Sequence, residues 1–121
     1  MTRPRHSPTM DLEEDWDEIR AGARSEDETY VGERDAQGQP VVYVQLYGVR
    51  RSLPVTELGY DWGYDGAKTT QLAIAILTDA YGKAVACKLY ALFADMVVCR
   101  LPDKSWTLTR GKIDEMLEMF L

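Results

Sequence analysis

Apolar residues recur along this chain with two different periods, and the change from one to the other divides it. Between Asp11 and Arg24, Leu12, Trp16 and Ile19 fall at i, i+4 and i+7, one face of a short helix. Asp11 is a fair N-cap, and the acids of the first turn suit the helix dipole. A helix of this length is marginal alone, so it must dock on something or fray. From Thr29 the period becomes two. Tyr30–Arg34 and Val41–Tyr47 read as strands joined by the loop DAQGQP, a hairpin with a longer connection. Val42, Val44 and Leu46 share one face of the second strand, and Val41, Tyr43, Gln45 and Tyr47 share the other. Gly48 permits a turn, after which Arg50–Leu53 is a short third strand stopped by Pro54.

An aromatic-glycine loop (Trp62, Gly63, Tyr64, Asp65, Gly66) then runs into a segment apolar on nearly every side. Leu72–Leu77 is too apolar for a surface helix and reads as the buried central helix, Ala67–Tyr81, ended by Gly82. A second helix is expected from Lys83 to Val98 with a stripe of Val85, Leu89, Leu92, Phe93, Met96 and Val97. Ile74, Leu77, Leu89 and Phe93 are the expected contacts between the two. Ser105–Thr109 is a further strand, and Thr109 caps a last helix carrying Ile113, Leu117 and Phe120. The order predicts an α+β fold, a small antiparallel sheet (a hairpin plus one or two short strands) packed on two to three helices.

Charge sharpens the division. Residues 11–28 hold nine acids and two arginines, −7, while 29–121 holds eleven acids and ten bases, −1, and Arg3 and Arg5 complete the net −6. Residues 1–28 therefore read as an acidic appendage, disordered at residues 1–10 and carrying the short helix, and 29–121 as a single α+β domain. Neither part has the basic field that attracts nucleic acid directly. No apolar run is long enough to span a membrane and no secretory leader is visible. Cys87 and Cys99, placed in one helix about 18 Å apart, are too distant for a bridge and read as free thiols of a reducing compartment. The expected location is cytoplasmic, in the host cell if the protein is viral.

Several separated blocks occur together: Tyr30-x-Gly32-x-Arg34, Gly48-x-Arg50-x-x-Leu53-Pro54, Trp62-Gly63-Tyr64-x-Gly66, the run Gln71–Leu77, then Tyr90, Phe93 and Trp106-x-Leu108. Over residues 29–115 this pattern resembles the domain-of-unknown-function family 6166, a group of short proteins of prokaryotes and their viruses. Asp65, Ala67, Lys68 and Thr69 stand where that family has small residues and a proline. The resemblance implies a fold and a phage or mobile-element context. It implies no activity and no catalytic residues.

The chemistry-bearing residues exclude more than they assign. The single histidine, His6, lies in the tail, so no Cys/His metal cluster and no Ser/His or Cys/His device can be assembled in the body. Asp61 and Asp65 would repel a phosphate from the Trp62–Gly66 loop, and with Gly63 and Leu72 at positions three and twelve a calcium loop fails. No cofactor is expected. Arg50 and Arg51 point to opposite faces, so only one can join any surface. The spaced carboxylates Asp15, Asp17 and Glu18 around Trp16 have a sharper use, because such a helix can occupy a basic groove made for nucleic acid. The expectation is a non-enzymatic intracellular interaction protein, phage-encoded, an inhibitor of anti-CRISPR type acting on a host nucleic-acid-handling or defence complex. Its protein partner would present a basic surface to Asp15, Trp16, Asp17, Glu18, Arg50, Trp62, Tyr64, Asp65 and Lys68. The alternative is a small ligand-binding domain or enzyme using the Trp62–Lys68 loop.

Overall fold

The structure is a computed structural model that describes residues 12–22 and 25–121, with only the backbone of Glu13. Helix α1 (Leu12–Gly22) is followed by strands β1 (Thr29–Arg34), β2 (Pro40–Leu46) and β3 (Val49–Ser52). Helices α2 (Ala67–Tyr81) and α3 (Lys83–Met96), a 3-10 turn at Val98–Arg100, strand β4 (Trp106–Thr109) and helix α4 (Arg110–Glu118) complete the chain. The expectations for residues 1–10, and for Asp11 as a cap, lie outside the described residues.

The four strands form one antiparallel sheet in the order β3-β2-β1-β4, so the α+β expectation holds. The β1–β2 connection is set by Asp35, whose Oδ1 accepts from the amides of Gln37 and Gln39, both at 2.9 Å. This is the local bonding that favours Asp in turns. Tyr30, Val42, Val44 and Leu108 point into the core under the helices, while Val41, Tyr43, Gln45 and Arg50 lie on the opposite, open face. Gly82 at φ 94 separates α2 from α3, a backbone region where a side chain is strained. The turn folds the two helices against each other. Thr109 caps α4 as expected, its hydroxyl accepting from the Lys112 amide at 3.0 Å.

Two core expectations need correction. Leu77, Leu89 and Phe93 are buried, but Ile74 is only half-buried. The buried face of α2 is Leu72, Ala73, Ile76, Leu77 and Ala80, and at about 100° per residue Ile74 lies well around from it. The helix is apolar on nearly all sides, but neighbours cover only one. On α3, Leu92 and Met96 are 38% and 41% exposed. The buried face takes in Ala86 and Ala94 together with Leu89, Phe93 and Val97. That face leaves Leu92 and Met96 outside. The helix also ends at Met96, so Cys87 and Cys99 are in different elements, both free.

Replacing Leu77 by Ala should cost about 2–5 kcal/mol, whereas Ile74→Ala should cost clearly less. Urea midpoints for the two variants test the rotation of α2, and equal losses would refute it.

Candidate functional site

The Trp62 loop is built as an internal latch. The Trp62 ring is fully buried and meets Trp106 edge-on, with centroids 5.5 Å apart. Its Nε1 donates to the carbonyl of Asp103 at 3.0 Å, and the Arg34 guanidinium lies over the ring at 4.3 Å. Arg34 also pairs with Asp61 at 2.9 Å and donates to the Asp103 carbonyl at 3.0 Å. Asp61 in turn accepts from the Trp62 amide at 2.8 Å, closing the loop on itself. Gly63 has φ 85, donates to the Val98 carbonyl at 3.1 Å, and a Cβ there would stand 3.2 Å from the Leu101 carbonyl. The Thr69 hydroxyl fastens the start of α2 by donating to the Tyr64 carbonyl at 2.6 Å. Gly32 faces Trp106 across the β1–β4 pair, and a Cβ on it would come within 2.2 Å of the indole. Only glycine leaves the ring room to lie on the strand.

The far end of α2 seats α1. Trp16 is buried, its ring 5.6 Å from that of Tyr81, and its Nε1 donates to Glu118 at 3.1 Å. Arg20 pairs with the same Glu118 carboxylate. Beneath them Arg110 and Asp114 are both buried and paired at 3.2 Å, and the Tyr81 hydroxyl donates to Asp114. Arg110 also reaches the Arg20 carbonyl at 3.4 Å, one of the last carbonyls of α1, which have no partner inside the helix. The short helix thus meets the condition its length imposes. It is docked on its own domain by one indole and two arginines.

A third cluster joins the sheet to the last turn of α2. Arg51 grips Asp79 of α2 with two bonds of 2.8 Å and reaches Glu28 at 3.2 Å, while the Tyr30 hydroxyl donates to Asp79 at 2.6 Å. Such bidentate, charge-assisted geometry is the strong form of the pair. The sequence reading missed this cluster and the Arg110–Asp114 pair. The one available signal was an acid, Asp79, inside an apolar helix.

The residues expected to bind a partner do not converge. Asp17 and Glu18 are exposed on the outer side of α1, while Asp15 is half-buried beside the docked face of Leu12, Trp16 and Ile19. Trp16 is spent on the core beside them. Tyr64, Asp65 and Lys68 are exposed at the N-terminal end of α2, while Trp62 is internal. The fifteen residues of α2 place these two groups about 20 Å apart. Arg50 is on a third surface, the open face of the sheet, lying over the Tyr43 ring at 4.3 Å and donating to Gln45 at 3.1 Å. Among the described residues no group of three His, Cys, Asp or Glu could hold a metal ion, and no helix is long and apolar enough to cross a membrane.

Residues 30–119 match a family described as a family of unknown function, DUF6166. The chain belongs to this family. No curated protein and no solved structure matches it. Three of the blocks by which the sequence resembled DUF6166 meet in space: Gly32, Arg34, Trp62, Gly63 and Trp106 are parts of the latch. Helix α1 lies outside the matched residues, although it contributes Trp16 to the core of the DUF6166 domain.

Gly32→Ala should destabilise the protein by about 1–3 kcal/mol through overpacking against Trp106. Adding Trp106→Val should recover part of that loss, so the double variant should be more stable than the sum of the single losses implies in urea titrations. A second expectation concerns pH. Burial, reinforced by the bond to Asp79, pushes the Tyr30 phenol far above its ordinary pKa, and burial with the bond to Asp114 does the same for Tyr81. The unfolded chain releases these protons first, near pH 10, so their contribution is complete below that pH and declines above it. Urea midpoints should therefore fall as pH rises past about 10, and less steeply in Tyr30→Phe and Tyr81→Phe.

Proposed function

We propose that this protein is a non-catalytic interaction protein that presents the outer, acidic side of α1 to a partner with a basic surface. The observation that carries this reading is the docking of α1. With Trp16 buried against Tyr81 and bonded to Glu118, the helix is held by its apolar side and turns Asp17 and Glu18 to solvent. Glu26, Asp27 and Glu115 gather beside Arg20 and Lys112 at the groove between α1 and α4, extending the acidic surface. A row of carboxylates on a docked helix meets a basic groove with little ordering cost, the condition under which electrostatic complementarity speeds and selects association. A nucleic-acid-handling or defence complex offers such a groove, so the reading is of an inhibitor that takes the place of nucleic acid. A phage-encoded protein acting in the cytoplasm of its host fits that role. A ligand site at the Trp62–Lys68 loop has less support, because Trp62 is occupied inside.

Reversing Asp15, Asp17 and Glu18 to Lys should leave the urea midpoint nearly unchanged and abolish capture of a basic host protein in a pull-down. Capture by the unaltered protein should weaken as salt rises, since exposed charges are screened over about 8–10 Å near physiological ionic strength. Duplex DNA should compete with it. Capture that survives the triple reversal and ignores salt would refute the reading.

A further inference from the structure

The β3 edge of the sheet carries a second, independent surface. In the β2–β3 ladder Val49 faces Leu46, Arg50 faces Gln45, Arg51 faces Val44 and Ser52 faces Tyr43. The Leu53 amide bonds the Val42 carbonyl at 3.2 Å, so the alternation of an antiparallel ladder makes Arg51 and Val49 the inward-bonding residues. The N–H and C=O groups of Arg50 and Ser52 therefore point away from β2, and β3 has no neighbour on that side among the described residues.

Natural edges of this kind are blunted or used. Here the surroundings favour use. Tyr47 (79% exposed), Val49 (71%), Val55 (56%) and Leu58 (50%) all lie in the short stretch that forms and leaves this edge. Tyr47 holds φ 50 in a two-residue turn with Gly48 at φ 81, where Asn, Asp or Gly is the ordinary choice. Its hydroxyl is steadied by Asp27 at 3.2 Å. On the core side of the strand a cavity of about 390 Å³ opens between Val44, Leu46, Tyr47, Val49, Arg51 and Glu28. On the open side stands Arg50, bonded to Gln45 and lying over the Tyr43 ring, whose hydroxyl donates to Glu33 at 2.9 Å.

We propose that the β3 edge is a strand-addition site for an extended segment of a partner protein in which an acidic residue is flanked by aliphatic ones. An added strand would bond the outward groups of Arg50 and Ser52. Side chains alternate along a strand, so an acid opposite Arg50 puts its two neighbours on the other side, toward Val49 and the cavity. Arg51 is already matched by Asp79 and Glu28, so the cavity suits an aliphatic side chain rather than a second acid. A second copy of this chain is the wrong occupant. Two-fold pairing centred on the strand sets Arg50 opposite Arg50, or Arg51 opposite Arg51, like-charged residues whose Cβ atoms stand about 5 Å apart. The site does not depend on α1, so it stands or falls separately from the acidic helix surface.

The test uses the full chain, two capped pentapeptides, Thr-Val-Glu-Val-Thr and Thr-Val-Lys-Val-Thr, and NMR of the backbone amides. The Glu peptide should shift the Arg50 and Ser52 amides and slow their hydrogen exchange, and the Lys peptide should bind about fivefold more weakly or less. Arg50→Glu, a surface change, should reverse that preference. Ser52→Pro removes one outward donor while sparing the inward ladder, and should abolish binding. Equal binding of the two peptides, shifts confined to residues away from β3, no binding at all, or self-association through β3 would overturn the proposal.

Discussion

The Arg51–Asp79 pair fixes how the two layers of this protein meet. A carboxylate in the last turn of an apolar helix packed on a sheet must find a partner or be expelled from the interface. Asp79 finds two, the Arg51 guanidinium and the Tyr30 hydroxyl, both from the core face of the sheet. Because those bonds are directional, they set the rotation of α2 as well as its position. That rotation turns Leu72, Ile76 and Leu77 inward and Ile74 aside. It also decides what happens at the helix ends: the Trp62 latch closes at one and the seat of α1 at the other.

The elements were largely legible in the sequence, and their orientation was not. The period-two runs gave both hairpin strands to within a residue, Gly82 marked the break between α2 and α3, and Thr109 marked the start of α4, because each rests on a local rule. Helix rotation depends on the neighbour. Nothing local shows that α3 buries Ala86 and Ala94 and leaves Leu92 and Met96 in water. The candidate site suffered the same way. Trp16 and Trp62 stand out in the sequence as large aromatics in polar surroundings, and both turned out to be anchors. The acids beside Trp16 are on the surface, but Arg50 and Lys68 share no surface with them, since only the tertiary structure sets the length of α2 between the groups.

Several of the residues that mark the family serve one structure, the latch around Trp62. Gly32 gives the Trp106 ring its place, Trp106 meets Trp62, Arg34 covers Trp62, and Gly63 lets the chain turn under Leu101. These residues keep a loop closed. The acids of α1 and the exposed aromatic at Tyr47 take no part in the latch.

The pairing of β1 with β4 has a consequence for how the chain must be made. Thr29 lies beside Thr109, and α1 rests on α4 through Glu118, so the first described elements are completed by the last. During synthesis the β1–β2 hairpin would wait with one edge bare until β4 had left the ribosome, because non-local strand pairing forms only once the intervening loop is closed. Loss of even the final helix would free α1 at the opposite end of the sequence. The docked acidic helix is thus in place only after β4 and α4 have been made.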